Sequence, residues 1–229
     1  EPQAGQVRIH VRAASVNPAD WKLAGRAAPG RSTIPGRDVA GVIDAVGPQA
    51  GGWRIGQAVI AIATGGAYAE YALASIRKVA LKPVHLSFDE AAGIPVVGET
   101  AWRAMVTVGK VRPGQRVLVH GGAGGVGSSA VQIAKARGAQ VTATASPNHE
   151  ALLRSLGADE IVDYHDAQSL ASLRNFDVVL NTVDAATNLR SLTMLKPGGI
   201  LVSVAGAPPA AQCAAARIHC AVAGFATGE

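Results

Sequence analysis

Val117-Leu118-Val119-His120-Gly121-Gly122-Ala123-Gly124-Gly125-Val126-Gly127-Ser128 reads as strand, glycine turn and helix. Val117 to Val119 is a short apolar, β-branched run. Ala130, Val131, Ile133, Ala134 and Ala136 supply one apolar face of the helix that follows. Gly122, Gly124 and Gly127 keep the G-x-G-x-x-G spacing, with Ala123, Gly125 and Val126 completing the turn. The chemistry wants glycine for separate reasons: a tight turn, close backbone approach to a pyrophosphate, and close packing of helix on strand. The helix N-terminus adds free N–H groups and a partial positive charge. Taken alone, the spacing fits a ligand-free turn as well.

The sequence on either side favours the dinucleotide reading. Val141–Ala145 is a second strand, and Glu150–Leu156 a helix stopped by Gly157. Ile161-Val162, Asp177–Thr182 and Ile200–Val204 are further strands. Alternating strands and helices at this spacing predict a doubly wound parallel sheet of Rossmann type, an α/β fold. Upstream the pattern differs. Gln6–Ser15, Asp38–Val46, Gln57–Ala63, Tyr68–Ala74 and Lys78–Leu81 are short strand-like runs separated by Gly-rich turns, which predict a small β-barrel. Ser87 with Glu90 forms a capping box where the pattern turns from β to αβ. The expected boundary lies within Ser87–Gly98, dividing the chain into 1–92 and 93–229.

The 229 residues are 48% hydrophobic and 16% charged, enough to bury a core and too apolar for disorder. The net charge of +5 comes from scattered Lys and Arg without interleaved aromatics, which argues against a nucleic-acid groove. No apolar run has the length of a membrane span, and no signal-peptide pattern opens the chain, so the expected location is cytoplasmic. Cys213 and Cys220 have no metal-ligand spacing. They could pair, but in a chain of this size they read more simply as reduced, buried thiols.

Several ordered segments resemble the medium-chain dehydrogenase/reductase superfamily, specifically its zinc-free quinone oxidoreductase (ζ-crystallin-like) branch. Ala13-Ala14-Ser15-Val16-Asn17-Pro18-Ala19-Asp20-Trp21 is similar to the family's A-x-V-N-P-x-D segment. Pro35-Gly36-Arg37-Asp38-Val39-Ala40-Gly41 is similar to P-G-x-D-x-A-G, and Gly65–Tyr71 to G-G-x-A-E-Y. Ala91–Pro95 through Trp102, His120–Gly127, Ala151–Tyr164 and Leu195–Gly199 follow in the family's order. The resemblance implies a partial GroES-like β-barrel catalytic domain followed by a Rossmann domain. The family's polypeptide starts earlier and runs past Glu229, so the resemblance also implies that part of the catalytic domain falls outside these residues. Zinc-dependent relatives carry Cys where Asn17 stands and His-Glu where Arg37-Asp38 stand, and six scattered histidines supply no ligand set, so no metal is expected.

The activity implied is NADPH-dependent reduction of quinones or α,β-unsaturated carbonyls. Such reduction needs no Lewis acid: the enolate or hydroquinone needs hydrogen bonds and a proton that water can provide. The alternatives are a non-catalytic NADPH-binding sensor or structural protein, and an enoyl reductase of a larger synthase. The expected partners are a small quinone or enone and a second copy in a homodimer; for the latter Cys213–Phe225 offers a β-capable stretch that could form the sheet edge or, equally, a fully internal strand. Asn17 is the candidate catalytic residue, to line the nicotinamide or bond the substrate carbonyl. Its plainer role is capping the helix at Pro18. Asp20 reads as structural, and Lys22 as exposed. Tyr68 and Tyr71, three apart on one expected strand, read as packing residues. Thr100 enters as a cofactor contact through the resemblance alone. Val183, Ala205 and Gly206 lie at expected C-terminal strand ends, where such folds bind ligands. The segment Thr142–Ser146 has no acid to hold a ribose 2′-OH, which permits NADPH. Ser146, Asn148, His149 and Tyr164 are the candidate donors to its 2′-phosphate. The resemblance favours Ser146 and Tyr164, and it puts His149 where relatives carry Lys.

Overall fold

A computed structural model describes residues 1–24 and 33–223. The chain divides into two compact units, Glu1–Val96 and Val97–Glu229.

In the first unit the strands are β1 (Gln6–Ala14), β2 (Asp38–Val46), β3 (Ala58–Ile62), β4 (Tyr71–Ser75) and β5 (Val79–Leu81). The helices are α1 (Pro18–Ala24) and α2 (Phe88–Ala92). The strands form one antiparallel sheet in the order β4-β1-β2-β3-β5. One face buries Val7, Ile9, Val39, Ile43, Val59 and Ala74. The other buries Ala40 and Ile60 under Ala91 and Ala92 of α2. Covering on both faces explains why β2 opens on a continuous buried run instead of alternating. The capping box forms as expected: Ser87 Oγ accepts from Glu90 N–H, and the Glu90 carboxylate accepts from Ser87 N–H. The expected strand over Tyr68–Ala74 begins instead at Tyr71. Tyr68 N–H is bonded to Pro35 O in the stretch leading into β2, and β4 starts only at Tyr71, so the two tyrosines do not share a strand.

The second unit alternates strand and helix. α3 (Pro95–Trp102), whose first two residues belong to the first unit, runs on into a π-helical turn, Arg103–Val108. There follow β6 (Arg116–His120), α4 (Gly125–Ala136), β7 (Gln140–Ala145), α5 (Glu150–Ser155), β8 (Glu160–Asp163), α6 (Ala167–Ser172), β9 (Phe176–Asn181), α7 (Ala185–Ser191), β10 (Leu195–Ser203), α8 (Ala210–Ala215) and β11 (His219–Val222). All ladders are parallel, in the order β11-β10-β9-β6-β7-β8. This is the Rossmann arrangement: the order reverses at β6, opening a crevice at the carboxyl ends of β6 and β9. Both faces are apolar, and β6 shows how. Val117 and Val119 pack with Val131 and Ala134 of α4, while Leu118 packs with Phe176, Val179 and Leu201.

The cysteines correct one expectation. Cys213 on α8 and Cys220 on β11 are joined in a disulfide, Cα to Cα 6.2 Å. The turn after α8 folds β11 back beside its own helix, so two residues only seven apart meet. β11 lies at the sheet's edge, as one of the two open readings had it, but residues 213–215 of that stretch are helical. Gly224 and Phe225 lie outside the described residues. Among the described residues no helix is long and apolar enough to cross a membrane.

Candidate functional site

Two groups of residues are set apart from the apolar cores, one in each unit.

In the first unit a polar cluster forms where β1 ends beside the start of β2, Ala14 being paired with Val39. At its centre is Asp38, fully buried. Its Oδ2 accepts from Ser15 Oγ (2.6 Å) and Asn17 Nδ2 (2.8 Å), and its Oδ1 from Val96 N–H (2.7 Å). Burial raises the Asp38 pKa above the ordinary carboxylate value, against the pull of those three donors. Asp20 forms a second node: its carboxylate accepts from Asn17 N–H (2.7 Å) and from the Tyr68 hydroxyl (2.9 Å). Desolvation, then the bond to Asp20, pushes the Tyr68 hydroxyl up to about 12, so it keeps its proton at neutral pH. Asp20 is structural, as expected, and Lys22 is exposed, its ammonium 5.5 Å from the Trp21 ring centroid.

Asn17 differs from expectation. It does not cap α1 with its side chain, because the buried carboxylate of Asp38 takes its amide, and the turn is closed by Asp20 accepting from Asn17 N–H. Its second amide hydrogen goes to Ser15 Oγ (3.2 Å). Both N–H groups are therefore engaged, and donation to a substrate carbonyl is closed in this geometry. What remains is the acceptor oxygen, unbonded among the described residues.

The same cluster tests zinc. It offers two carboxylates, an amide and two hydroxyls, with neither thiolate nor imidazole, and Asp38 and Asn17 are bonded to each other. This set does not fit a catalytic zinc. Among the described residues no group of three or more His, Cys, Asp or Glu side chains is placed to hold a metal.

In the second unit the turn between β6 and α4 shows which glycines answer to packing. A Cβ at Gly127 would stand 2.1 Å from Gly121 O, and one at Gly122 2.8 Å from Ala143 Cβ. Gly125 is similarly closed by Val97 Cγ1 of α3, at 2.9 Å. Gly124 is different: its Cβ would meet nothing closer than 3.4 Å, and its φ of −73° suits any residue. Packing alone does not require glycine there. Gly124 is also the N-cap of α4 and makes no side-chain cap, leaving the first-turn N–H groups of Gly125, Val126 and Gly127 facing out of the helix end. Ala123 and Val126 are half-buried against the core below. Thr100, buried, sits one turn beyond Val97 on α3.

The remaining candidates ring the carboxyl ends of the strands. Register puts Ser146 and Tyr164 one step past the paired Ala145 and Asp163. Ser146 Oγ lies 2.9 Å from His149 Nδ1, pinning the exposed imidazole at the end of β7, while Tyr164 is exposed and tilts against His165. Asn148 is exposed on the same turn. Val183 and Gly206 are tied together by two fully buried amides that sequence reasoning missed. Asn181 Oδ1 accepts from Val183 N–H (2.9 Å), Asn181 Nδ2 donates to Asn188 Oδ1 (2.7 Å), and Asn188 Nδ2 donates to Gly206 O (3.3 Å). Ala205 N–H donates to Ser203 Oγ (3.2 Å). A polar residue closing an apolar strand run, such as Asn181 after Val178–Leu180, is the signal that could have found them.

His120 ends β6 as a buried side chain. Desolvation, then the neighbouring Arg190, lowers its pKa to about 4. It is neutral, and its Nε2 has no hydrogen-bond partner among the described residues.

Comparison with known proteins agrees with this architecture. Residues 3–84 match the model of the alcohol dehydrogenase GroES-like domain, and residues 125–223 that of the zinc-binding dehydrogenase domain. The chain is 37% identical over 221 residues to the NAD(P)H oxidoreductase RTN4IP1, mitochondrial, of Danio rerio, covering 84% of this chain and 57% of that protein. It also matches polyketide synthases, of which it spans about 10%. Among solved structures, the quinone oxidoreductase from Coxiella burnetii is 32% identical with a TM-score of 0.86, over 97% of this chain and 75% of that one. The CurK enoyl reductase is 31% identical with a TM-score of 0.87, over 96% and 73%. A GroES-like sheet followed by a Rossmann sheet, matched by sequence and by shape over nearly the whole chain, identifies it as a member of the medium-chain dehydrogenase/reductase superfamily of oxidoreductases.

Proposed function

We propose that the protein uses NADPH to reduce quinones or α,β-unsaturated carbonyl compounds without a metal, as a member of the zinc-free branch of its superfamily. The observation that carries this reading is the bond between Asn17 and Asp38. Those positions hold each other and present no soft or imidazole ligand, so a substrate whose reduction needs no Lewis acid suits the site. When bound, the cofactor supplies a hydride to an electron-poor carbon. The protein's part is positioning. The open side of Gly124 and the first-turn N–H groups of α4 hold the pyrophosphate. Ser146, His149 and Tyr164 receive the 2′-phosphate at the ends of β7 and β8, while Val183 and Gly206 line the path toward the nicotinamide. Asn17 presents its acceptor oxygen to a donor such as a carboxamide N–H. Tyr68 stays protonated and bonded to Asp20, so the proton that completes the reduction comes from water.

Stopped-flow oxidation of NADPH with 9,10-phenanthrenequinone and a panel of simple enones tests the reading. Rapid oxidation, unchanged after chelation and dialysis, is expected; activity that needs added zinc would overturn it. A second reading is supported by the likeness to the CurK enoyl reductase and to a segment of polyketide synthases. In that reading the substrate is an enoyl thioester, and a preference for a crotonyl thioester over every quinone would select it.

A further inference from the structure

The glycine turn is held by residues outside its own motif. The peptide bond between His120 and Gly121 launches the turn, and both of its polar atoms are gripped by threonine hydroxyls from the two flanking strands. Thr182, just past β9, donates to His120 O (2.7 Å), and Thr144 of β7 accepts from Gly121 N–H (3.2 Å). Thr144 holds the next residue too, its backbone carbonyl accepting from Gly122 N–H (2.9 Å). His120 Nδ1 lies 3.4 Å from the same Thr144 hydroxyl.

The grip has a geometric consequence. Gly121 has φ +71°, and a Cβ there would stand 2.5 Å from Thr182 Oγ1, so this backbone turns against the threonine. Gly121 O in turn accepts from Gly124 N–H (3.1 Å) and lies where a Cβ of Gly127 would be. The orientation of one peptide plane thus passes through Gly121 O to Gly124 and to the start of α4.

We propose that Thr144 and Thr182 are positioning residues for dinucleotide binding: by clamping the two ends of the His120–Gly121 peptide from opposite sides, they aim the donors of the turn. The inference rests on the cofactor reading above. It predicts that losing either hydroxyl weakens cofactor binding while leaving the chemical step nearly intact. It assigns the effect to the hydroxyl rather than to the methyl group beside it.

The test uses Thr144→Val and Thr182→Val, which keep shape and remove the hydroxyl, with Thr144→Ser and Thr182→Ser as the conservative rescue. Three measurements are made: the dissociation constants of NADPH and NADH by fluorescence titration, the KM for NADPH against kcat, and amide hydrogen exchange at Gly121. The valine variants are expected to raise Kd and KM about tenfold with kcat within about twofold, and Thr144→Val to speed exchange at Gly121. The serine variants are expected to bind within about twofold of the parent. Unchanged affinity in both valine variants overturns the proposal, as does equal loss in serine and valine variants or unchanged exchange at Gly121 in Thr144→Val. A parent protein that binds neither dinucleotide fails the cofactor reading itself; faster Gly121 exchange in Thr144→Val then shows that the clamp exists and that its assigned role is wrong.

Discussion

The polar cluster around Asp38 and the glycine turn after β6 both form at strand ends, and they differ in what they leave unspent. Around Asp38 the donors are used up: Ser15, both N–H groups of Asn17, Val96 N–H and the Tyr68 hydroxyl all point at two aspartates or one another. At the turn, the side facing Gly124 is open, and the first-turn donors of α4 have no side-chain cap. A self-satisfied network makes a rigid wall and contributes shape. An array of unspent donors with open space beside it makes a receptor for an anion. The same type of polar residue therefore carries different functional weight in the two places.

The sharpest way to break this contrast is within the turn. Gly127→Val should cost at least about 3 kcal/mol of stability, because its Cβ must displace backbone. Gly124→Val should leave the unfolding midpoint nearly unchanged and weaken NADPH binding on the order of a hundredfold. Urea denaturation beside fluorescence titration reads both; similar stability losses in the two variants would erase the distinction between packing and receiving glycines.

In the polar cluster the order reverses. Asp38→Ala strands three donors at once, and should cost about 3 kcal/mol of stability before any effect on cofactor affinity is read. Loss of NADPH binding with stability retained would mean the cluster is a receptor after all.

His120 lets the parallel unit be probed through pH. Its folded pKa of about 4 lies below the 6.5 of the free side chain, so between those values the unfolded chain takes up a proton that the folded chain refuses. The contribution is fully present above about pH 6.5 and is lost as the pH falls toward 4, amounting to roughly 3 kcal/mol. His120→Asn should flatten that part of the stability–pH curve relative to the parent, measured by urea denaturation from pH 7 to 4.5.

At the far edge of the same sheet, reducing the Cys213–Cys220 disulfide opens a loop whose ends are seven residues apart. A loss of about 2 kcal/mol is expected, with cofactor affinity unchanged. A change in affinity would show that the turn depends on the sheet edge. The smallest effect is expected at the ribose phosphate. His149→Gln should reduce the preference for NADPH over NADH about threefold, read from the two dissociation constants.

The α/β pattern, the two-part organisation and the glycine turn were legible because they depend on local periodicity and on residues a few positions apart. Ser87 and Glu90 behave as their spacing demands because a capping box closes within one turn. Asn17 did not, since the same side chain that could cap Pro18 is drawn to a buried carboxylate 21 positions away in the chain. The pattern places Tyr68 on a strand, yet its backbone N–H is bonded to Pro35 O, 33 positions back in the stretch leading into β2. The pairing of Cys213 with Cys220 required knowing that α8 and β11 fold back beside each other.

By itself the sequence determined the order of elements, the family and the position of the glycine turn, all of which rest on short-range pattern and on the missing side chains of glycine. Only the tertiary structure decided which glycine is open, which amide hydrogens of Asn17 are spent, and that Thr144 and Thr182 meet across one peptide bond. The threonine clamp and the Asn17 bond depend on residues that the sheets bring together from 23, 62 and 21 positions apart along the chain, and a hydrogen bond's worth is set by whether burial has removed the water that would otherwise replace it.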